Sequence, residues 1–331
     1  MSKAFNLILP EKLSPGDTVG IVAPSSPMFE DGQIEFTFRW LKKLGLKWKL
    51  GEHLHEHHGD LAGVDAARLE DFHRMWADEE VKAVFPVRGG NGSVRLLSDL
   101  NFDLIRKNPK ILIGFSDITG LLIPIHQETG MVTFHGPTAG SFFDSEYTFE
   151  NFKRALFDKN PIGTIKDPDK QDDYAPSYPP YRMVFSPGEA EAPLIGGCLT
   201  LIRQLMGTPW EINTDGKIFF FEDVGEEPHA VDMMVTQLLL AGKFDKVAGV
   251  IVGECVECRP GKSRRSRMNI NFSMERMLKE RLSHLKVPVV YGMRFGHSKV
   301  KFTIPIGAKA RLKAGDDGFS FDIFEPCVRG D

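Results

Sequence analysis

Lys110–Thr119 reads KILIGFSDIT, and the architecture of the chain turns on how those ten residues are read. Lys110-Ile-Leu-Ile-Gly114 is a short, almost continuous apolar run, the pattern of a strand buried on both faces of a sheet. Phe115-Ser116-Asp117 interrupts it, and Ile118, Leu121, Leu122 and Ile125 then recur at the spacing of an apolar helix face. A serine at an abrupt turn between strand and helix is the geometry of a nucleophile elbow. Such a turn lifts the hydroxyl above the sheet edge, at a helix N-terminus whose backbone N–H groups stabilise an anion. Gly114-Phe115-Ser116-Asp117-Ile118 lacks the second glycine of G-x-S-x-G, however. The same residues also read as a Ser-Asp helix cap after a strand.

Upstream, Leu13-Ser-Pro-Gly-Asp17 is turn chemistry leading into a strand at 18–23, followed by the Pro24-Ser-Ser-Pro27 loop. Helices are predicted at 31–44 and 65–77, the second with Ala66, Leu69, Phe72 and Trp76 inward, and strands at 46–50 and 82–87. The last of these ends in Arg88-Gly-Gly-Asn-Gly92. Short helical segments before Leu100 and at 102–107 then lead to the strand that delivers Ser116, and a further helix is expected at 148–157. Strands alternating with helices argue a parallel sheet covered on both faces, with ligands beyond the carboxyl ends of its strands. Arg88-Gly-Gly and Ser116 both fall at such ends.

From 158 to 193 the character changes: DPDKQDDYAPSYPPYR is rich in Pro, Asp and Tyr, and the segment reads as an interdomain linker or a lid. The second half opens at Leu194-Ile-Gly-Gly197. Helices are expected at 199–206, 228–240 and 274–285, and strands at 217–221, 247–253 and 287–291, with two β-like runs around Ala314–Gly318. The organisation predicted is a domain at 1–157, a linker or lid at 158–193 and a second domain at 194–331.

A chain of 331 residues with 42% hydrophobic and 26% charged residues exceeds what one core serves and has an ordinary globular composition. A net charge of −4 gives nucleic acid no support as a partner. Cys198, Cys255, Cys258 and Cys327 are too few for a disulfide framework in a chain of this length. Neither a signal-peptide core nor a stretch of membrane-span length is present, so a cytoplasmic protein is expected.

Arg88-Gly-Gly-Asn-Gly92 matches neither G-x-G-x-x-G nor the P-loop. Its glycines suit a plain turn, an anion cradle, or an oxyanion hole whose second donor comes from another βα loop. A serine nucleophile needs a base and an orienting acid. His297, in Phe295-Gly-His-Ser298 directly after a strand, is the best placed of the ten histidines. His53, His55, His57 and His58 suit a solvated loop better than a metal site; His126 and His135 suit satisfied structural roles, and His229 opens a helix. Glu222 follows the apolar strand KIFFF and would be held firmly at a site edge, with Asp223 and Glu226 as competitors that also suit helix capping. Cys255-x-x-Cys258 is half a zinc pattern with no second pair, and Arg259–Arg267 reads as a basic solvated loop. No metal and no cofactor are expected.

Taken together, LSPGDTVGIVAPSSP, PVRGGNGSVRLL, KILIGFSDIT, FHGPTAG, GGCLTLIRQLMGTPW, FFFEDVGE and YGMRFGH resemble the serine LD-carboxypeptidases. That family includes the muramoyl-tetrapeptide carboxypeptidases and the microcin C self-immunity peptidases. The resemblance implies a flavodoxin-like α/β N-terminal domain, a smaller β-rich α+β C-terminal domain and a homodimer. It maps the nucleophile to Ser116, the acid to Glu222 and the base to His297, and the oxyanion donors to the backbones of Asp117 and Gly90. Arg88, Gly89 and Glu254 are candidate substrate contacts, Glu254 for a substrate amine. The implied reaction is peptidoglycan recycling: release of terminal D-alanine from a murein tetrapeptide. The 158–193 and 259–267 segments lean toward the immunity branch, which cleaves a peptidyl- or aminoacyl-nucleotide antibiotic. Tyr174, Tyr178 and Tyr181 would then stack on the base. A non-enzymatic ligand-binding protein using the same glycine-rich edge is the rival outside this class.

Overall fold

The computed structural model describes residues 6–28, 32–141, 145–168, 182–259 and 273–330. The first half runs β1 (Thr18–Val22), α1 (Gly32–Lys43), β2 (Lys47–Leu50), α2 (Asp65–Ala77), β3 (Val81–Pro86), α3 (Phe102–Lys107), β4 (Ile111–Gly114), α4 (Thr119–Thr129), β5 (Thr133–His135) and α5 (Glu146–Leu156). The second continues with β6 (Gly163–Thr164), β7 (Met183–Ser186), β8 (Gly188–Cys198), α6 (Leu199–Leu205), β9 (Ile218–Glu222), α7 (Pro228–Leu240) and β10 (Gly249–Gly253). It ends with α8 (Met274–Leu282), β11 (Val289–Met293), β12 (Ile304–Ile306), β13 (Lys309–Gly315) and β14 (Gly318–Ile323).

Alternating apolar strands and amphipathic helices in the first half form the expected parallel sheet, with β2, β1, β3, β4 and β5 side by side in that order. This is the flavodoxin-like order, and it reverses between β1 and β3, where an open α/β sheet leaves a crevice at its carboxyl edge. The loops leaving β1, β3 and β4 all rise at that edge. The inward stripe of α2 is rotated from the predicted one. Phe72 and Trp76 are buried as expected, but Ala66 is exposed, and Ala67, Arg68, Asp71 and Met75 are buried beside them.

A sixth strand comes from far along the chain. β12 pairs antiparallel with β5, Ile304 opposite His135. The two sheets therefore do not divide at a single point in the sequence.

The second sheet has eight strands among the described residues, in the order β6-β14-β13-β8-β9-β10-β11-β7. β8, β9, β10 and β11 run parallel; the remaining neighbours are antiparallel. β8 serves both parts: Gly188–Pro193 pairs with β13, and Leu194–Cys198 pairs with β9. At the Gly196-Gly197 step a side chain is excluded, because a Cβ on Gly196 would lie 1.7 Å from the Phe220 carbonyl oxygen. Much of the segment expected to be a linker is thus sheet, in β6, β7 and the first half of β8. Its Glu189-Ala190-Glu191-Ala192 alternation has Ala190 and Ala192 buried and the glutamates exposed, the period-two pattern of a strand with one wet face. Residues 169–181, with Tyr174, Tyr178 and Tyr181, and residues 260–272, with most of the basic loop, lie outside the described residues.

The halves meet through α4, which packs on β8 and α6. The Cys198 N–H donates to Thr119 Oγ1 at 3.1 Å across this seam. One continuous set of buried apolar side chains runs through both sheets. Among the described residues no helix is long and apolar enough to cross a membrane.

Candidate active site

Ser116 has φ of 61°, in the left-handed region that costs a non-glycine residue roughly 1–2 kcal/mol. It follows an extended Phe115 and opens a single 3-10 turn, Ser116–Ile118, that runs into α4. A Cβ on Gly114 would lie 2.7 Å from Ile118 Cγ2, so the glycine ending β4 is what lets the chain double back so tightly. No side chain caps the 3-10 turn or α4. The strained serine is therefore an elbow and not a cap.

Asp117 is buried, and its carboxylate turns sideways. It accepts from Ser25 Oγ at 2.5 Å and from the Ser93 N–H at 2.8 Å, while its carbonyl accepts from Ser93 Oγ at 2.5 Å. One aspartate thereby pins the loops after β1 and β3 to the elbow. Arg68 does the same from below: its buried guanidinium donates to the carbonyls of Pro24 and Gly92, the latter at 3.0 Å. Neither Arg68 nor Ser93 shows a sequence signal, since each matters only once three loops converge.

The Arg88-Gly-Gly turn lies directly against the elbow. A Cβ on Gly89 would sit 2.8 Å from Ser116 Cβ and 3.2 Å from the Asp117 nitrogen. Gly90 has φ of 117°, and its missing side chain makes room for Ser26, whose hydroxyl accepts from the Asn91 N–H at 3.1 Å. The Gly90 N–H has no acceptor among the described residues. Arg88 donates to the Pro27 carbonyl at 3.3 Å, and partial burial pulls its pKa below the usual value.

Across the crevice, Glu222 ends β9 at full burial. Its Oε2 accepts from His297 twice, from Nδ1 at 2.7 Å and from the backbone N–H at 3.1 Å. A carboxylate at Nδ1 fixes the proton there and leaves Nε2 as the basic nitrogen. Burial alone would raise the Glu222 carboxyl, but the charge and two hydrogen bonds of His297 outweigh it and the net shift is downward. Glycines shape the slot: a Cβ on Gly296 would meet Glu222 Cδ at 2.2 Å, and one on Gly253 would meet Glu222 Cβ at 2.8 Å. The Phe115 ring meets the His297 ring edge-on at 4.9 Å.

Ser116 and His297 line one cavity of about 590 Å³, together with Arg88, Gly89, Gly90 and Lys301. A hydroxyl on a strained elbow, an imidazole held by a buried carboxylate and a glycine turn alongside are the parts of an acyl-transfer site.

Comparison with known proteins places the chain in a family. The model of the LD-carboxypeptidase N-terminal domain matches residues 19–136, and that of the LD-carboxypeptidase C-terminal domain matches residues 191–312. The chain belongs to the LD-carboxypeptidase family. It is 39% identical to the probable murein peptide carboxypeptidase of Bacillus subtilis (strain 168) over 93% of this chain and 92% of that protein. Its fold matches the apo microcin C7 self-immunity protein MccF with a TM-score of 0.86 at 26% identity, covering 97% of this chain and all of that one. The muramoyltetrapeptide carboxypeptidase from Oxalobacter formigenes gives 0.79 at 26% identity, covering 93% and 99%. This LD-carboxypeptidase is accordingly a serine-type hydrolase.

Several candidates fall elsewhere in the LD-carboxypeptidase fold. Glu254 does not line the cavity. Its carboxylate faces the buried Arg294 guanidinium at 3.5 Å, and burial raises its pKa. Asp223 accepts from the N–H and hydroxyl of Thr200 at 2.9 and 2.8 Å, so it ties down α6, the preceding helix, and burial pushes it up to about 6. His126 Nδ1 donates to the Met131 carbonyl at 2.9 Å, a satisfied structural role. His135 is not satisfied: neither ring nitrogen has a hydrogen-bond partner, and Nε2 lies 3.7 Å from Glu222 Oε1. His229 pairs with Glu227 at 3.3 Å, and His53 bonds Glu56 at 2.6 Å on the surface. No group of metal-ligating side chains occurs among the described residues, where all four cysteines are free thiols.

Proposed function

We propose that the enzyme releases the terminal D-alanine of a murein tetrapeptide, at the bond joining it to the L-centre of the diamino acid, through Ser116, His297 and Glu222. The observation that carries this reading is the pairing, in one cavity, of the left-handed Ser116 with a His297 whose Nδ1 is held by the buried Glu222. His297 Nε2 takes the Ser116 proton as Oγ attacks the scissile carbonyl, and Glu222 stabilises the imidazolium. The N–H groups of Asp117 and Gly90 receive the developing oxyanion, each worth about 3 kcal/mol to the transition state. His297 then protonates the departing amine, and water, activated by the same imidazole, hydrolyses the acyl-enzyme. Arg88 and Gly89 form the near wall for the substrate. The expected outcome for Ser116→Ala is loss of D-alanine release with an unchanged circular dichroism spectrum. Turnover retained by the folded variant would remove the serine mechanism.

A second substrate is favoured by the fold match to MccF, whose structures include complexes with glutamyl sulfamoyl guanosine and aspartyl sulfamoyl adenosine. The same three residues would cleave such an aminoacyl-nucleotide. Side-by-side kcat/KM on murein tetrapeptide and aspartyl sulfamoyl adenosine separates the two, with the tetrapeptide expected to prevail on the 39% identity to the Bacillus subtilis protein. The family resemblance also favours a cytoplasmic homodimer. A monomeric mass in sedimentation would remove the dimer.

A further inference from the structure

Lys301 is a cation that the proposed mechanism leaves unused. It follows the His297 loop and lines the same cavity, yet it is only 8% exposed. Its backbone is strapped down, the Lys301 N–H donating to Thr148 Oγ1 at 3.0 Å in the first turn of α5. Its ammonium lies 4.3 Å above the Phe115 ring centroid, and Phe115 is the residue immediately before Ser116. No oxygen of the described residues accepts a hydrogen bond from Lys301 Nζ. Glu222, the carboxylate whose charge acts on it, is engaged by His297. Burial lowers the Lys301 pKa to about 8, so most of the population stays charged at neutral pH.

A buried ammonium with no hydrogen-bond acceptor of its own among the described residues is costly unless something anionic completes it. The surrounding wall has the matching sign. Arg88, Lys299 and Lys301 line the cavity, and no aspartate or glutamate does among the described residues. The N-terminus of α5 meets the same wall at its cap Ser145, adding the positive end of an eleven-residue helix. Glu146 in that turn is exposed and takes no part in the lining. In a C-terminal peptide substrate only a nitrogen and one α-carbon separate the scissile carbonyl from the terminal carboxylate. A cation seated beside Phe115 is therefore on the scale of that group when Ser116 engages the carbonyl.

We propose that Lys301 Nζ, with the first turn of α5, receives the terminal carboxylate of the substrate and makes the enzyme an exopeptidase. The proposal rests on the murein reading for the identity of the leaving residue, but not for the presence of a carboxylate on it. Uncharged C-terminal amides then lose the anchor, and internal peptide bonds present no anion at all.

The test compares murein tetrapeptide with its D-alaninamide counterpart on the wild type, Lys301→Gln and Lys301→Arg. The wild type is expected to prefer the free acid by about 10- to 100-fold in kcat/KM, the range of one charge-assisted hydrogen bond. In Lys301→Gln the acid-to-amide ratio falls toward one, and Lys301→Arg recovers most of it. For the wild type, KM for the acid rises as pH passes about 8, while KM for the amide does not follow it. Equal losses on both substrates in Lys301→Gln, or a wild type indifferent to the amide, would overturn the anchor. Titrating N-acetyl-D-alanine and N-acetyl-D-alaninamide onto the Ser116→Ala protein separates the two readings. Preferential binding of the acid, lost with Lys301→Gln, upholds the anchor even if the tetrapeptide is not turned over. Turnover of the tetrapeptide without any acid preference would keep the substrate and remove the anchor.

Discussion

His135 shows what a single buried imidazole does to the acid stability of this enzyme. It is fully buried between Phe220 and Phe295, and desolvation pushes its pKa down to about 4. An unfolded chain holds that proton up to about pH 6.5. Between those values the unfolded state binds more protons than the native one, so stability falls on acidification from about pH 6.5 to about pH 4 and not further below. The loss from this one group is on the order of 3 kcal/mol. Urea midpoints at pH 7 and pH 4.5 should therefore converge in His135→Gln, relative to the wild type. An undiminished pH dependence in the variant would assign the effect elsewhere. From the sequence, FHGP gave no sign of this. A histidine before a turn is ordinary, and its exposure to Glu222 depends on β5 and β9 approaching from different sheets. Ser116, Glu222 and His297 were legible because each sits where a strand runs out, a position that apolar runs mark clearly. Lys301 was not, since one lysine in KVKF looks like any surface lysine.

At the scale of elements, the elbow and the Arg88-Gly-Gly turn behave as one unit, held by Asp117 and Arg68. Gly89 tests that unit cleanly, since its backbone is not in the left-handed region and alanine brings only volume. Gly89→Ala puts a methyl group against Ser116 and the Asp117 nitrogen, where the oxyanion would gather. The expected result is a fall in kcat of about 100-fold with little change in melting temperature. A variant that keeps full kcat would show that the oxyanion is bound on another side. Most helices and the parallel strands were readable from periodicity. β6 and β7 were missed because they are short, and the first half of β8 because proline-rich neighbours obscured its alternation. β12 had no signal as a strand of the first sheet, because a run of three residues carries no register of its own.

For the whole molecule, Ser116 rises from one sheet and His297 and Glu222 from the other, so the proposed mechanism requires the seam between them. A fragment of residues 1–157 would leave β5 without β12 and bare its outer edge. Exposed edges pair with other chains. That fragment is expected to self-associate, seen as large particles in light scattering, whereas the full chain stays monodisperse. A monodisperse fragment with cooperative unfolding would make β12 dispensable. Composition marks a change of character near 158, but it cannot show that the three residues Ile304–Ile306, shortly before the Ala314–Gly318 hairpin, belong with the opening half.

The return of β12 also bears on how genes of this kind can recombine. A single crossover between the halves inherits β5 from one parent and its strand partner from the other. Hybrids that respect the pairing of Ile304 with His135 need two breakpoints, with the short strand travelling alongside the amino-terminal parent. Exchange of the pocket between lineages is therefore easiest for the intervening segment, which carries Glu222 and His297 but not the residues that hold Ser116.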